Sequence, residues 1–314
     1  MVIKDGVLLG VAHTDLTVNG KLIVPDGVTK IKLTWANRCY GIRSVVIPDS
    51  VKVIGSWSFS GCHTLTEVDL GHGVEVIEDS VFYSCIGLTS IILPDSLTYI
   101  GELALRNTGL TSVVIPDSVT HIGPGAFGSN DCMTSVVVGK NVTRIPPAMF
   151  EFSPRLTSVT FKGDVTSIGQ EAFYDCGKLS EINFPDNLTF IGMTAFIGTR
   201  LKSERKNYKA FRITPKGNLI CRKKRYAVGK KASVKGELTV CENGIHYCTN
   251  LFEIFNFYYG EYGKDFVICE CEVSDEKKEG LHSSKKCARW IIPQRILPRE
   301  EVVKILNDGI KKKD

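Results

Sequence analysis

A short pattern recurs seven times between Ile42 and Arg200: an aliphatic residue, two small or polar residues, and then two more apolar residues separated by one position. Successive copies begin 22 or 23 residues apart. They start at Ile42, Leu65, Leu88, Leu110, Met133, Leu156 and Leu179. This period is typical of stacked repeats that share their apolar core with their neighbours. A stacked array has a long surface and no built-in catalytic pocket, so the pattern favours a binding protein.

The copy that begins at Leu110 shows which positions of a unit face the core. Its first six residues, LTSVVI, are rich in β-branched side chains and predict a strand. The inward residues are predicted to be Leu110, Val113 and Ile115, and residues 111, 112 and 114 are predicted to face outward. A Pro-Asp-Ser turn follows the strand. The remainder of the unit is predicted to be a short helical or irregular return.

Three further apolar positions recur in each copy and complete the predicted core. The first follows the turn and is occupied by Val51, Val74, Leu97, Val119, Val142, Val165 and Leu188. The second is always isoleucine, at residues 54, 77, 100, 122, 145, 168 and 191. The third is bulky and is occupied by Phe59, Phe82, Leu105, Phe127, Phe150, Phe173 and Phe196. One unit could not bury this set alone, whereas stacked units can share it.

A degenerate unit precedes the seven, because residues 22–28 align with residues 45–51, 23 positions later. Residues 1–18 are predicted to form an N-terminal cap, with a hairpin that turns at Asn19-Gly20.

The repeat, written as LTSIILPDSLTYIGELAL and LTSVVIPDSVTHIGPGAF, resembles the BspA-type leucine-rich repeat family over residues 19–201. The resemblance implies a leucine-rich repeat solenoid, with a parallel β-sheet and short helical or irregular returns, that binds a ligand or mediates adhesion. We predict that this solenoid and its cap occupy residues 1–204 and that a basic, cysteine-containing α+β domain occupies residues 205–314.

The two predicted domains carry charge of opposite sign. Residues 1–200 have a net charge of −5 and residues 201–314 a net charge of +10, which indicates modules with different partners. The N-terminus lacks a basic region and a cleavage site, and no apolar stretch has the length of a membrane span. The eleven cysteines form no compact framework. We therefore expect a cytoplasmic, reduced protein with no membrane association.

The outward face of the predicted strands is the candidate partner-binding site. Its members are the aliphatic residues Val46, Ile92, Val114 and Val137, bordered by Thr111 and Thr134. Ile92, Val114 and Val137 are predicted to lie side by side on consecutive strands, as a contiguous apolar patch with a polar rim. The alternative is that these residues are β-branched only because strands favour such side chains.

Four cysteines occupy one position of the unit, at Cys39, Cys62, Cys85 and Cys176, where other copies have Thr108, Asn130, Ser153 and Thr199. One interpretation is a metal or redox ladder. The other, favoured by the Thr, Asn and Ser substitutions, is a small residue that packs near a turn and hydrogen-bonds to the neighbouring backbone.

The C-terminal module is predicted to be α+β, with a strand at residues 265–273 and a helix at residues 298–307. Its segments YKAF, CRKKRYAVGK, CENGIHYC, NFYY and ECEV resemble a small uncharacterised domain found in phage-encoded proteins. That resemblance implies a mobile-element origin and no particular activity.

Three hypotheses about chemistry remain open for this module. Cys241, His246 and Cys248 are weak zinc candidates, because their spacing is not that of a standard zinc motif. A basic set could contact nucleic acid, a nucleoprotein or an acidic partner, or could simply be a solvated face. Its members are Arg222, Lys223, Lys224, Arg225, Lys230 and Lys231. An ADP-ribosyltransferase-like enzyme is the third hypothesis and rests on shape analogy alone.

The sequence predicts no catalytic residue and no cofactor. The favoured function is a non-enzymatic protein that binds another protein through the repeat face. If it is phage-encoded, the predicted target is host machinery such as a nucleic-acid-guided defence enzyme, inhibited in the host cytoplasm. The leading alternative is a bacterial surface adhesion protein of the same repeat family.

Overall fold

The computed structural model describes residues 1–33, 41–202, 208–213, 219–221, 224–226, 228, 232–233, 245–247, 251–255, 260–261, 266–273, 277–279, 286–288 and 290–311. Residues 17–202 contain the repeats, which form a solenoid of short parallel strands. The predicted fold class is therefore confirmed for the repeats. In the unit from Leu110, the three predicted inward residues are at most 3% exposed and the three outward ones are exposed. The recurring core positions listed above are all buried.

Every unit except the one from Leu88 contributes a strand to a first parallel ladder, here called the first sheet, which is divided into two parts. The N-terminal part contains Lys21–Ile23, Ser44–Val46 and Glu67–Asp69. The C-terminal part contains Ser112–Val114, Ser135–Val138, Ser158–Phe161 and Glu181–Ile182. The register is that of the repeat, so that equivalent residues of adjacent units lie opposite each other.

Short strands around the recurring isoleucine form a second sheet that sequence inspection did not predict. Its N-terminal part contains Val2–Lys4, Val7–Gly10, Lys30–Ile31, Val53–Ile54, Val76–Ile77, Tyr99–Ile100 and His121–Ile122. Its C-terminal part contains Arg144–Ile145, Ser167–Ile168, Phe190–Ile191 and Gly260–Glu261. Two residues are too few to show the period-two alternation by which a strand is recognised in a sequence.

The returns between the second sheet and the next unit are turns, and residues 41–202 contain no helix. In the six returns from Phe59 to Phe173, the N–H groups of the bulky core residue and of the residues two before and two after it donate to the following unit. Around Phe127 these bonds run from Gly125 to Pro147 O, from Phe127 to Met149 O and from Ser129 to Glu151 O, at 2.9, 3.0 and 2.6 Å. We call this set of bonds the return ladder.

The residues two before and two after the bulky core residue have positive φ in all seven units. At Ala148 and Phe152, for example, φ is 55° and 53°. Left-handed conformations cost side-chain-bearing residues on the order of 1 kcal/mol each. The return ladder offsets this cost, because a peptide N–H that points along the solenoid finds a carbonyl in the next unit.

The bulky core residues stack through the centre of the solenoid. The ring centroids of Phe127, Phe150 and Phe173 are separated by 6.0 and 5.5 Å, and the rings are nearly parallel. The repeat places equivalent side chains one above another, so Phe127, Phe150, Phe173 and Phe196 form an aromatic column, which Leu105 separates from the stacked pair Phe59 and Phe82.

The N-terminal cap is a hairpin, but its predicted turn at Asn19-Gly20 is wrong. Val2–Lys4 and Val7–Gly10 pair antiparallel around Asp5-Gly6, where φ is 50° and 74°. Positive φ at both central residues is the geometry that Asp-Gly favours in a two-residue hairpin. The chain after Gly20 enters Lys21–Ile23, which pairs parallel with the next unit and therefore cannot close a hairpin.

The C-terminal part contains two further sheets and two helices, in agreement with the predicted α+β class. The six-stranded sheet has the order Lys224–Tyr226, Leu219–Cys221, Tyr208–Ile213, Phe266–Val273, Trp290–Ile296 and Ala232–Ser233. The three-stranded sheet has the order Ile245–Tyr247, Lys286–Ala288 and Lys277–Glu279. The helices are Leu251–Ile254 and Arg299–Lys311, and a 3-10 turn spans His13–Asp15 near the N-terminus.

The C-terminal part closes all three ladders at the end of the solenoid. Phe255 O accepts the N–H of Thr194 at 3.0 Å, at the position that a following unit would occupy in the return ladder. Gly260–Glu261 pairs antiparallel with the last strand of the second sheet. The Asn307 side chain binds both the N–H and the C=O of Phe184, each at 2.9 Å. The C-terminal part therefore caps the repeats.

Candidate functional site

The outward side of the repeats that begin at Leu88, Leu110, Met133 and Leu156 carries an uncharged area, and three of these four units lie in the first sheet. Each unit has three outward positions, so the area contains twelve residues, all of them Ser, Thr, Ile or Val, of which Ser135, Val137 and Ser158 are half-buried and the others exposed. They are Thr89, Ser90, Ile92, Thr111, Ser112, Val114, Thr134, Ser135, Val137, Thr157, Ser158 and Thr160. Glu67 and Asp69 border this area on one side and Glu181 on the other. We call it the strand face.

The predicted site residues fall on this face, with one exception. Val114 lies opposite Val137 on adjacent strands, as expected. Ile92 and Val114 are 86% and 57% exposed, which makes them the most exposed aliphatic residues of the face. Val46 is half-buried and lies in the N-terminal part of the first sheet, opposite Asp69. It is therefore separated from the strand face by a charged residue.

The prediction that Ile92 lies on a strand beside Val114 is wrong. Residues 89–93 lie between Glu67–Asp69 and Ser112–Val114 in repeat order but belong to neither part of the first sheet. One backbone bond connects this segment to the next unit, from Thr111 N to Thr89 O at 3.2 Å. The break occurs in the unit from Leu88. This unit has 22 residues, whereas the other units that begin between Ile42 and Leu156 have 23.

Thr111 and Thr134 contribute less polarity to the face than predicted, because their hydroxyls bond within the solenoid. Thr134 Oγ1 donates to Thr111 O at 3.0 Å, and Thr111 Oγ1 lies 3.5 Å from Thr89 O. Thr157 repeats the same bond to Thr134 O at 2.9 Å. Since these three threonine hydroxyls bond to backbone carbonyls of the preceding unit, they are less available to a partner. The partner therefore meets a more apolar surface.

The recurring cysteine position has the packing role that the Thr, Asn and Ser substitutions indicated. Cys85 Sγ donates to Phe59 O and Cys176 Sγ to Phe150 O, both at 3.1 Å. Asn130 donates to Leu105 O, the equivalent carbonyl, at 3.1 Å. Burial raises the pKa of the Cys85 and Cys176 thiols to about 12. These thiols are therefore neutral hydrogen-bond donors and unsuited to nucleophilic chemistry.

Two members of the same set depart from this role. Cys62 is buried but disulfide-bonded, so the expectation of a hydrogen-bonded thiol does not hold there. Ser153 is fully buried, and its hydroxyl has no partner within the described part of the chain.

We expect iodoacetamide at about pH 8 to alkylate Cys132 long before Cys85 and Cys176, because thiols with a pKa near 12 are almost entirely protonated there. Cys132 is partly exposed and serves as the internal comparison. Peptide mapping by mass spectrometry would follow each site, and alkylation in urea should remove the difference. Equal rates in the native protein would mean that the cysteine position is open to solvent.

Comparison with protein families assigns the repeats. The model of the BspA type leucine rich repeat region matches residues 17–133 and 100–213, with six copies. The chain belongs to this BspA-type family. Residues 206–304 match a second model, described as a domain of unknown function (DUF7666). No curated protein matches the chain.

Solved structures of other bacterial repeat proteins resemble the BspA-type array. A leucine-rich repeat protein from Bacteroides ovatus is 24% identical with a TM-score of 0.57; the match covers 64% of this chain and 55% of that one. The T. pallidum leucine rich repeat protein is 30% identical with a TM-score of 0.46, over 51% and 78% of the two chains. The first likeness shows the shared fold. This chain spans about half the length of that relative.

The predicted sites beyond the BspA-type repeats fall mostly outside the described residues. This applies to Arg222, Lys223, Lys230, Lys231, Cys241 and Cys248. Lys224 and Arg225 lie on the outermost strand of the six-stranded sheet, and His246 lies on Ile245–Tyr247. The described residues contain no group of three or more His, Cys, Asp or Glu side chains placed to hold a metal. None of the helices in the described ranges has both the length and the apolar character of a membrane span.

Proposed function

We propose that the protein is a non-enzymatic recognition module that binds another protein through the strand face. The observation that carries this proposal is the exposure of Ile92 and Val114, on the first two units of a twelve-residue area without charge. Interface cores are depleted in charged residues, whereas ordinary protein surface is not. A single exposed aliphatic residue would need no explanation, but a row of them on adjacent units does.

The test is the double substitution Val114→Glu and Val137→Glu, which places two carboxylates on opposed positions of the face. We expect the fold to be retained, because both side chains point outward, and partner capture from lysate to be lost. The matched control is Thr120→Glu with Thr143→Glu, at exposed positions that precede strands of the second sheet. Circular dichroism checks the fold, and calorimetry with the captured protein measures the affinity. Unchanged affinity would remove the strand face as the binding site.

The identity of the partner remains a prediction. We propose host machinery such as a nucleic-acid-guided defence enzyme, inhibited in the cytoplasm by a phage-encoded protein. The net charges of −5 and +10 on residues 1–200 and 201–314 support a partner that combines protein and nucleic acid. Purified defence complexes, assayed for nuclease activity with and without the full chain, would test it. Full nuclease activity in the presence of excess protein would contradict inhibition, while capture of a surface receptor would favour the adhesion alternative.

A further inference from the structure

Ile92 lies at a discontinuity in the first sheet. Elsewhere a backbone N–H after each strand donates to the next unit, as from Ile47 to Asp69 O at 2.9 Å and from Ile115 to Val137 O at 2.8 Å. Glu67–Asp69 and Ser112–Val114 each pair with a strand on one side only, and residues 90–93 lie between them without joining the sheet. The most exposed aliphatic side chain of the strand face therefore lies where the sheet is least regular.

Three exposed carboxylates surround this position. Glu67 and Asp69 belong to the preceding unit, and Asp95 follows Ile92 by three residues. In the described part of the chain, no lysine or arginine lies within ion-pair distance of any of the three. In the next unit, by contrast, Asp117 has Lys162 Nζ at 3.7 Å and Lys140 Nζ at 3.9 Å. The negative charge beside Ile92 is thus left for a partner to neutralise.

The dimensions of the strand face require a partner to reach these carboxylates. Four units about 4.8 Å apart, each with an outward segment about 10 Å long, give a flat area of roughly 200 Å². A stable interface buries about 800 Å² on each partner. A partner centred on Ile92 and Val114 must therefore extend over the neighbouring units and turns, and on the N-terminal side it meets Asp69 and Asp95.

We infer that the partner is a basic polypeptide segment that places aliphatic side chains on Ile92 and Val114 and lysine or arginine side chains near Glu67, Asp69 and Asp95. This inference rests on the proposed function and specifies its partner. A nucleic acid would be repelled by the same three carboxylates, and an acidic segment likewise. A segment that alternates apolar with cationic residues suits the site, because it must contact aliphatic side chains and carboxylates on adjacent units.

The test uses two synthetic peptides of equal length and charge, one that alternates lysine with leucine and one that alternates lysine with serine. Fluorescence anisotropy with the full chain at low salt should show the lysine-leucine peptide binding about tenfold more tightly, a difference set by apolar contact. Ile92→Ser should reduce that affinity to the level of the lysine-serine peptide. Asp69→Asn with Asp95→Asn should weaken both peptides, and the matched control Asp186→Asn should weaken neither.

Equal affinity of the two peptides, or the same loss from Asp186→Asn as from the Asp69 and Asp95 pair, would overturn the inference. So would dimerisation of the wild-type chain that Ile92→Ser abolishes, because the occupant would then be a second copy. Urea unfolding of each variant shows whether a loss of binding reflects a loss of fold. If Val114→Glu with Val137→Glu still abolishes capture of the cellular partner while the peptides fail, the proposed function stands and only the basic character of the partner is wrong.

Discussion

Replacement of Phe150 by alanine is expected to lower the free energy of unfolding by about 3–5 kcal/mol, the usual cost of removing a buried phenylalanine. Phe150 is fully buried and stacks on Phe127 on one side and on Phe173 on the other. Its removal therefore opens a cavity in the middle of the aromatic column and exposes a ring face in each neighbouring unit. The backbone bond from Phe150 to Ala172 O holds the return in place, so the cavity cannot easily collapse.

Phe152 provides the matched control, since it is the same residue type two positions later in the same return. It is 44% exposed and contacts Tyr174 at a centroid distance of 5.4 Å. We expect Phe152→Ala to cost less than about 1 kcal/mol, because little apolar area leaves the interior. Urea unfolding followed by circular dichroism would compare the two variants. Equal losses would mean that the column is no better packed than the surface of the return.

The sequence predicts the first sheet and the core because these depend on local period. The inward spacing of Leu110, Val113 and Ile115 is read directly from adjacent residues, and every unit repeats it. Repetition turns a weak local signal into a strong one, since each unit must satisfy the same neighbour contacts. The Thr, Asn and Ser residues that replace cysteine likewise indicated a shared hydrogen-bonding role, which Cys85 and Cys176 confirm.

The repeat period does not predict other features of the fold, because they arise from contacts between units. The left-handed pairs in the returns carry no common residue type: Ala148, Glu171 and Thr194 occupy one position, and glycine occurs there once among the seven units, at Gly125. The break at residues 90–93 depends on how one 22-residue unit fits between longer ones. On the candidate site, the sequence identified Val114 and Val137. It could not show that threonine hydroxyls are bonded internally, or that no basic side chain of the described residues pairs with Asp69 or Asp95.

The closure of the solenoid by the C-terminal part is a long-range feature, and it leads to the second large effect. We expect Phe252→Ala to lower the free energy of unfolding by about 3–5 kcal/mol, as for other buried phenylalanines. Phe252 is 3% exposed and meets Phe196 and Phe184, the last bulky core residue and the last inward strand residue, at 5.6 and 5.9 Å. Without its ring, Phe196 and Phe184 lose their aromatic contact on the outer side of the final unit.

The loss should be local, because a repeat is stabilised mainly by its nearest neighbours. Hydrogen exchange of Phe252→Ala should therefore show faster exchange at the amides of Thr194 and Ile191 and unchanged exchange at Phe127. Lys304→Ala, an exposed change on the helix Arg299–Lys311 that also carries Asn307, is the matched control and should leave all three protected. An open end with unpaired strand edges also promotes association, so the apparent mass of Phe252→Ala should rise with concentration. Uniform loss of protection from Thr194 to Phe127 would instead mean that the repeats unfold as one unit. In that case the C-terminal part would stabilise the whole array rather than seal its end.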